Sequence, residues 1–253
     1  MTQPMIRTDN LTKRYDDVLA LDRLSIEVYA GEIFGFLGPN GSGKTTTIKL
    51  LTGLLRPTSG DAYVGGYNVQ EHHVEAKRLI GYVPDNPFVY EKLSGREFLD
   101  FVAGLHEIPA KEAARRSDEL LERFGILGAA DKLVEGYSHG MRQRLVMCSC
   151  LLHNPQVLIV DEPMVGLDPQ SARLVKDVFR ERAAEGATIF ISTHTLSLAE
   201  DLCTRVGIIL ESQLLAVGTP DEIKQRSGSD VDLEDAFLVL TQNSNHVVQR
   251  VGG

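Results

Sequence analysis

The sequence predicts an α/β protein: a mixed sheet flanked by helices, with an antiparallel β portion and an inserted α-helical segment. Three observations carry this. Short uninterrupted apolar runs, among them IFGFL (33–37), VLIV (157–160) and TIFIS (188–192), recur between helical patterns, as strands of a parallel sheet covered on both faces do. The stretch from about 86 to 155 is instead rich in helix formers. RPTSGDAYVGGYNV carries the turn residues of a short hairpin.

Taken in order, LSIEV (24–28) and IFGFL read as strands separated by a turn at Ala30-Gly31. The glycine-rich GPNGSGKT then runs into a helix predicted to end near Leu54. Beyond the hairpin, Ile80–Val83 is a strand. In the helical segment, Ser94 and Glu97 make a capping box for a helix to about Leu105. Pro109 precedes a second helix, which Gly125 ends, and Ser138 caps a third reaching about Leu152. VLIV, a helix opened by Asp168-Pro169, TIFIS, a short helix, VGIIL (206–210) and LLAV (214–217) complete the core. LEDAFLVLT (233–241) has the apolar face of a helix, and TQNSNHVVQRVGG, without periodicity, reads as a loose tail.

With 43% hydrophobic residues, the 253-residue chain can bury a substantial core, and its net charge of -9 argues against a nucleic-acid partner. Cys148, Cys150 and Cys203 fit neither a disulfide framework nor a zinc spacing; they read as small buried apolar residues of a reducing compartment. MTQPMIRTDN has no apolar run, so no signal peptide is expected. The longest uncharged run, 145–160, is interrupted by His153, Asn154 and Pro155, short of the ~20 apolar residues of a membrane span.

Gly38 to Thr45 fits G-x-x-x-x-G-K-[ST] between a predicted strand and helix, the context of a phosphate-binding loop. Glycines let the backbone curl so that amides point at phosphate oxygens, and the helix adds its positive end. Lys44 would reach the β- and γ-phosphates and the Thr45 hydroxyl would ligate Mg²⁺. VLIVDEP supplies the acids: Asp161 at the strand end for the Mg²⁺ shell and Glu162 to polarise an attacking water. GTP switch proteins share the loop but also carry N-K-x-D, which is lacking here; small-molecule kinases share it too.

With these motifs and YSHGMRQR (137–144) in order, the sequence resembles the nucleotide-binding subunit of ATP-binding cassette (ABC) transporters over roughly residues 4–226. The resemblance implies a P-loop NTPase core at 1–226, with the helical subdomain inserted at about 86–155, followed by a short helix and tail at 227–253. It implies ATP as ligand, Mg²⁺ as cofactor and ATP hydrolysis. Tyr15 in KRYDDVLAL would stack on adenine, and Gly38, Pro39, Asn40, Gly41, Ser42, Gly43, Lys44, Thr45 and Thr46 would cradle the phosphates. GYVPD places Asp85 where the family commonly has Gln; its expected role is in the Mg²⁺ shell. Ser138 and Gly140 of the signature would contact the ATP of a second, head-to-tail subunit, a copy of this chain or a paralogue. Asp168 in GLDP belongs to the dimer interface, and is also a plain N-cap. His194 after TIFIST would bond the γ-phosphate. His139 and Met141 depart from the usual Gly and Gln.

Such a subunit implies a separate integral-membrane permease and a cytoplasmic location on the inner face of the plasma membrane. Phe88 and Tyr90 would dock the permease, while Phe98 and Phe101 also fit the subdomain's own core. The short stretch after the core leaves no room for the regulatory domain of some sugar importers, so export is expected. The alternatives are a non-transport ABC ATPase and a regulatory ATP sensor.

Overall fold

The computed structural model describes residues 3–228 and 232–241; the sequence expectation for the tail beyond Thr241 lies outside them. Among the described residues, ten strands form two sheets. In the first, β1 (Ile6–Tyr15), β2 (Val18–Val28), β4 (Ser59–Val64) and β5 (Tyr67–Asn68) pair antiparallel in the order β2-β1-β4-β5. The second has six strands: β3 (Ile33–Leu37), β6 (Ile80–Val83), β7 (Val157–Asp161), β8 (Thr188–Thr193), β9 (Arg205–Leu210) and β10 (Gln213–Gly218). Their order is β10-β9-β3-β8-β7-β6, parallel throughout except for β10 against β9. The mixed sheet, the antiparallel portion and the inserted helices expected from the sequence are all present.

The apolar runs have a simple cause. β3, β7 and β8 are buried at every position, because successive side chains enter two different cores. Val157, Ile159, Phe190, Phe34 and Phe36 face the antiparallel sheet and α1 (Lys44–Leu51). Leu158, Val160, Ile189 and Ile191 face the helical side. Phe190 packs against Phe34 and Phe36 with ring centroids 5.7 and 5.5 Å away.

Three elements escaped the sequence reading: β1, the helix His73–Leu79 and the helix Pro220–Ser227, whose Thr219/Glu222 capping box was overlooked. β1 carries the mostly polar IRTDNLTKRY, broken by register shifts and a left-handed Asn10 at φ 47°. The helix α2 (His73–Leu79) buries only Ala76. α1 also stops at Leu51, earlier than expected, where Gly53 turns left-handed and the amides of Leu54 and Leu55 fold back onto the Lys49 carbonyl.

The insert holds α3 (Gly95–Leu105), α4 (Ala110–Arg123) and α5 (His139–Leu151). The Ser94/Glu97 capping box forms, Gly125 follows α4 at φ 66°, and Ser138 caps α5 by accepting from the Met141 amide. Phe98 is buried in this segment. Phe101 is not: it is 44% exposed and lies edge-on to Tyr90, because the outer face of α3 is left uncovered. Beyond the insert come α6 (Pro169–Ala184), α7 (Leu196–Leu202), α8 (Pro220–Ser227) and α9 (233–241), whose Leu233 and Ala236 join the helical-side core. Cys148, Cys150 and Cys203 are buried free thiols.

A histidine pair ties the insert to the sheet. His106, after α3, stacks on His153, after α5, with ring centroids 3.7 Å apart. The Nε2 of His153 meets the Ile80 carbonyl of β6, while its Nδ1 is buried with no partner among the described residues. Burial, with His106 and Arg116 nearby, pushes the His153 pKa down to about 4 from 6.5. The native state therefore refuses a proton that the unfolded chain accepts. Stability is full above the unfolded value and is lost as pH falls toward the native one. Replacing His153 with Gln, whose amide can still donate to Ile80, is expected to flatten the fall of the urea midpoint between about pH 7 and about pH 5. An unchanged slope would assign that pH dependence to other groups.

Candidate functional site

The carboxyl ends of β3, β7 and β8 meet at one edge of the sheet, where ligands of open α/β sheets bind. Immediately after β3 the chain turns through residues 38–43 and enters α1. Gly43 caps that helix at φ 111°, a backbone only glycine adopts readily. A Cβ on Gly38 would lie 2.3 Å from the Ile209 carbonyl oxygen of β9, so the loop is wedged against its neighbour strand. Lys44 is buried and donates through Nζ to the carbonyls of Gly38 (2.7 Å) and Pro39 (3.1 Å), curling the loop over its own lysine. Burial lowers the Lys44 pKa, opposed by the charges of Glu162 and Asp161.

Asp161 ends β7. Its Oδ2 accepts from the Thr45 hydroxyl at 3.2 Å and its Oδ1 from Ser192 of β8. Burial raises its pKa, the two hydroxyls lower it, and the charges of Asp85 and Glu162 raise it further. Glu162 adopts a left-handed backbone, φ 48°, with its amide donating to the Ser192 carbonyl. Its Oε1 accepts from the His194 amide at 3.1 Å and lies 2.7 Å from His194 Nδ1; its Oε2 accepts from the Thr193 hydroxyl at 3.1 Å. Asp85, after β6, accepts from the Asn86 amide at 2.8 Å. Together Asn40, Gly41, Lys44, Thr45, Asp85 and Glu162 line an open cleft of about 210 Å³, with Gly43, Thr46 and Asp161 also on its wall. The hydroxyl of Thr45 and the carboxylates of Asp161 and Asp85 form an all-oxygen donor set, which fits a magnesium ion.

Other expected residues lie elsewhere on the chain. Tyr15 sits half-exposed at the end of β1 with Lys13 Nζ 5.1 Å from its ring centre. Ser138 and Gly140, at the start of α5, line no part of the cleft. The His139 ring lies over Gly166, where a Cβ would come within 2.5 Å of it. Asp168 caps α6, accepting from the amides of Gln170 and Ser171 and from the Ser171 hydroxyl; these bonds lower its pKa. The sequence reading gave no role to Ala20, which borders the cleft, and named Ser192 and Thr193 only as the segment leading to His194, without a role for their hydroxyls. Their signal was present: two hydroxyl residues ending a buried strand beside the strand that ends in two acids.

A wedged glycine loop whose lysine lies beside paired acids defines a P-loop nucleotide-binding protein. The ABC transporter family model matches residues 21–165, and the chain belongs to this family. The linearmycin resistance ATP-binding protein LnrL of Bacillus subtilis is 35% identical over 250 residues, covering 96% of this chain and 80% of that protein. The bacitracin transport ATP-binding protein BcrA of Bacillus licheniformis is 43% identical over 227 residues, covering 88% of this chain and 72% of that one. The solved structure of an ATP binding subunit of an ABC transporter superposes with a TM-score of 0.89 at 31% identity, covering 94% of this chain and 99% of that chain. The relatives are ATP-binding components of transporters, and such subunits are ATPases as a family. Among the described residues no helix is long and apolar enough to cross a membrane.

The two loop glycines respond to different constraints. Gly38→Ala, which must displace Ile209, is expected to abolish binding of a fluorescent ATP analogue. Gly41→Ala, at φ 82° but facing open space, costs only the left-handed backbone, about 1–2 kcal/mol, and leaves binding measurable. Equal losses would show that the wedge is not what shapes the loop.

Proposed function

We propose that this chain hydrolyses ATP in a head-to-tail dimer, with a second copy or a paralogue, and thereby drives a separate membrane permease. The observation that carries this reading is Glu162, aimed into the cleft beside Lys44 and Asp161 and held by His194. Lys44 exchanges its loop carbonyls for the β- and γ-phosphates, and amides of residues 39–46 cradle them. Thr45 and Asp161 would hold Mg²⁺, and Asp85, on the wall of the same cleft, would contribute to its surroundings. Such an ion would supply positive charge against the phosphate oxygens. Glu162 orients a water for in-line attack and takes its proton, while His194 fixes that carboxylate and contacts the γ-phosphate.

Ser138 and Gly140 line no part of their own cleft, which suits donation to the ATP of the partner subunit; Asp168 would lie in the same interface. Tyr15 stacks on adenine. Closure of the two subunits completes each site and excludes water. Phe88, which is 78% exposed, with Tyr90, Phe101 and Leu105, forms an apolar surface just beyond Asp85 that suits a permease segment. The permease places the chain on the cytoplasmic face of the membrane. The drug-resistance and bacitracin-transport names of the relatives support export of a drug-like or peptide-like cargo.

Two measurements test this. Glu162→Gln with Mg-ATP is expected to run as a dimer in size-exclusion chromatography with light scattering, while its steady-state ATPase falls by two orders of magnitude or more, roughly the scale of lost general base catalysis. A strict monomer under those conditions overturns the dimer. Asp85→Asn and Asp85→Gln are expected to shift the Mg²⁺ concentration for half-maximal ATPase; an unmoved curve removes Asp85 from the metal's surroundings.

A further inference from the structure

The geometry points to Ser192 and Thr193 as two separate positioning residues, one for each acid of the site. Strands β7 and β8 run parallel, with Asp161 in register with Ser192. The next residue along each chain is Glu162 on one and Thr193 on the other. Ser192 and Thr193 are successive residues of β8 and leave it on opposite faces, whereas Glu162 lies past the end of β7, turned by its left-handed backbone at φ 48°. Each hydroxyl meets one acid: Ser192 donates to Asp161 Oδ1, and Thr193 donates to Glu162 Oε2 at 3.1 Å. Both hydroxyl residues are buried, so neither competes with water for its partner.

The proton directions are set as well. Thr193 Oγ1 accepts from the Thr195 amide at 3.1 Å, which leaves its single O–H for Glu162. This bond and the His194 amide hold Glu162 from both oxygens, fixing the carboxylate's rotation. Ser192 occupies Asp161 Oδ1 and leaves Oδ2 toward Thr45, the side on which a metal would sit. The assignment of Thr193 rests on the proposed role of Glu162 in hydrolysis; that of Ser192 rests on Asp161 as metal ligand.

The two roles separate by measurement on the full chain. Thr193→Val, nearly isosteric, removes the bond to Glu162 and the one accepted from the Thr195 amide, and is expected to lower kcat about five- to tenfold with KM for ATP held within about twofold. Thr193→Ser keeps the hydroxyl and recovers most of kcat; Thr193→Ala replaces the valine variant if the latter fails to fold. Ser192→Ala is expected to raise, about threefold or more, the Mg²⁺ concentration that half-saturates metal-dependent binding of a fluorescent ATP analogue, a readout independent of turnover. Thr193→Val leaves that binding curve in place. Wild-type kcat in Thr193→Val, alongside an inactive Glu162→Gln, overturns the Thr193 assignment alone. An active Glu162→Gln overturns the hydrolytic role of Glu162 beneath it. An unmoved Mg²⁺ curve in Ser192→Ala overturns the Ser192 assignment.

Discussion

Parallel pairing of β3, β8 and β7, in that spatial order, is the constraint on which the rest of the molecule depends. Parallel neighbours end at the same edge, so the loop after β3 and the acids at and just after the end of β7 line one cleft, and His194 after β8 bonds Glu162 of its wall, although 156 positions separate Gly38 from His194. The pairing holds because both faces of these strands are buried, one under the antiparallel sheet and α1, the other under the helical side. A one-residue slip would exchange the faces and carry Phe190 into the wrong core. It would also set Asp161 opposite a residue other than Ser192. Core packing and site geometry thus answer to the same register.

Much of this was legible because burial writes itself into residue type. A strand covered twice has no use for polar residues, so VLIV and TIFIS announce themselves; capping geometry does the same for Ser94 with Glu97 and for Asp168. β1 was silent for the opposite reason. It is only partly buried, bulged, and bonded along both edges by neighbours that tolerate polar side chains. α2 has one buried residue and therefore no periodicity to read. Phe101 could not be told from Phe98 by composition, since which face of α3 is covered depends on where α4 and α5 pack. The residues of the cleft were readable as motifs, but the hydroxyl-to-acid pairing was not. It requires knowing which residue of β8 stands beside which residue of β7.

The chain also separates what it does in its own cleft from what it presents outward. Lys44, Thr45, Asp161 and Glu162 are tied to one another or to nearby backbone, whereas Ser138, Gly140 and Asp168 sit at helix starts outside the cleft. The arginines of YSHGMRQR turn inward to the insert: Arg142 reaches Glu91 and the Glu135 carbonyl, and Arg144 reaches the carbonyls of Gly140 and Phe124. A segment that looks basic in sequence thus contributes little free positive charge at the surface, in keeping with a chain of net charge -9.

The wedge of Gly38 against Ile209 has a thermodynamic side. A loop pressed between β9 and its own lysine has few alternative shapes to give up when a polyanion arrives. Ordering entropy was already spent when the sheet formed, so affinity there reflects amide and lysine contacts with little subtracted for freezing the backbone. The antiparallel β9–β10 pair, remote from the glycine loop in sequence, thereby acts as its stiff backing, and a mutation that loosened the pair would disturb the loop before it registered as lost fold.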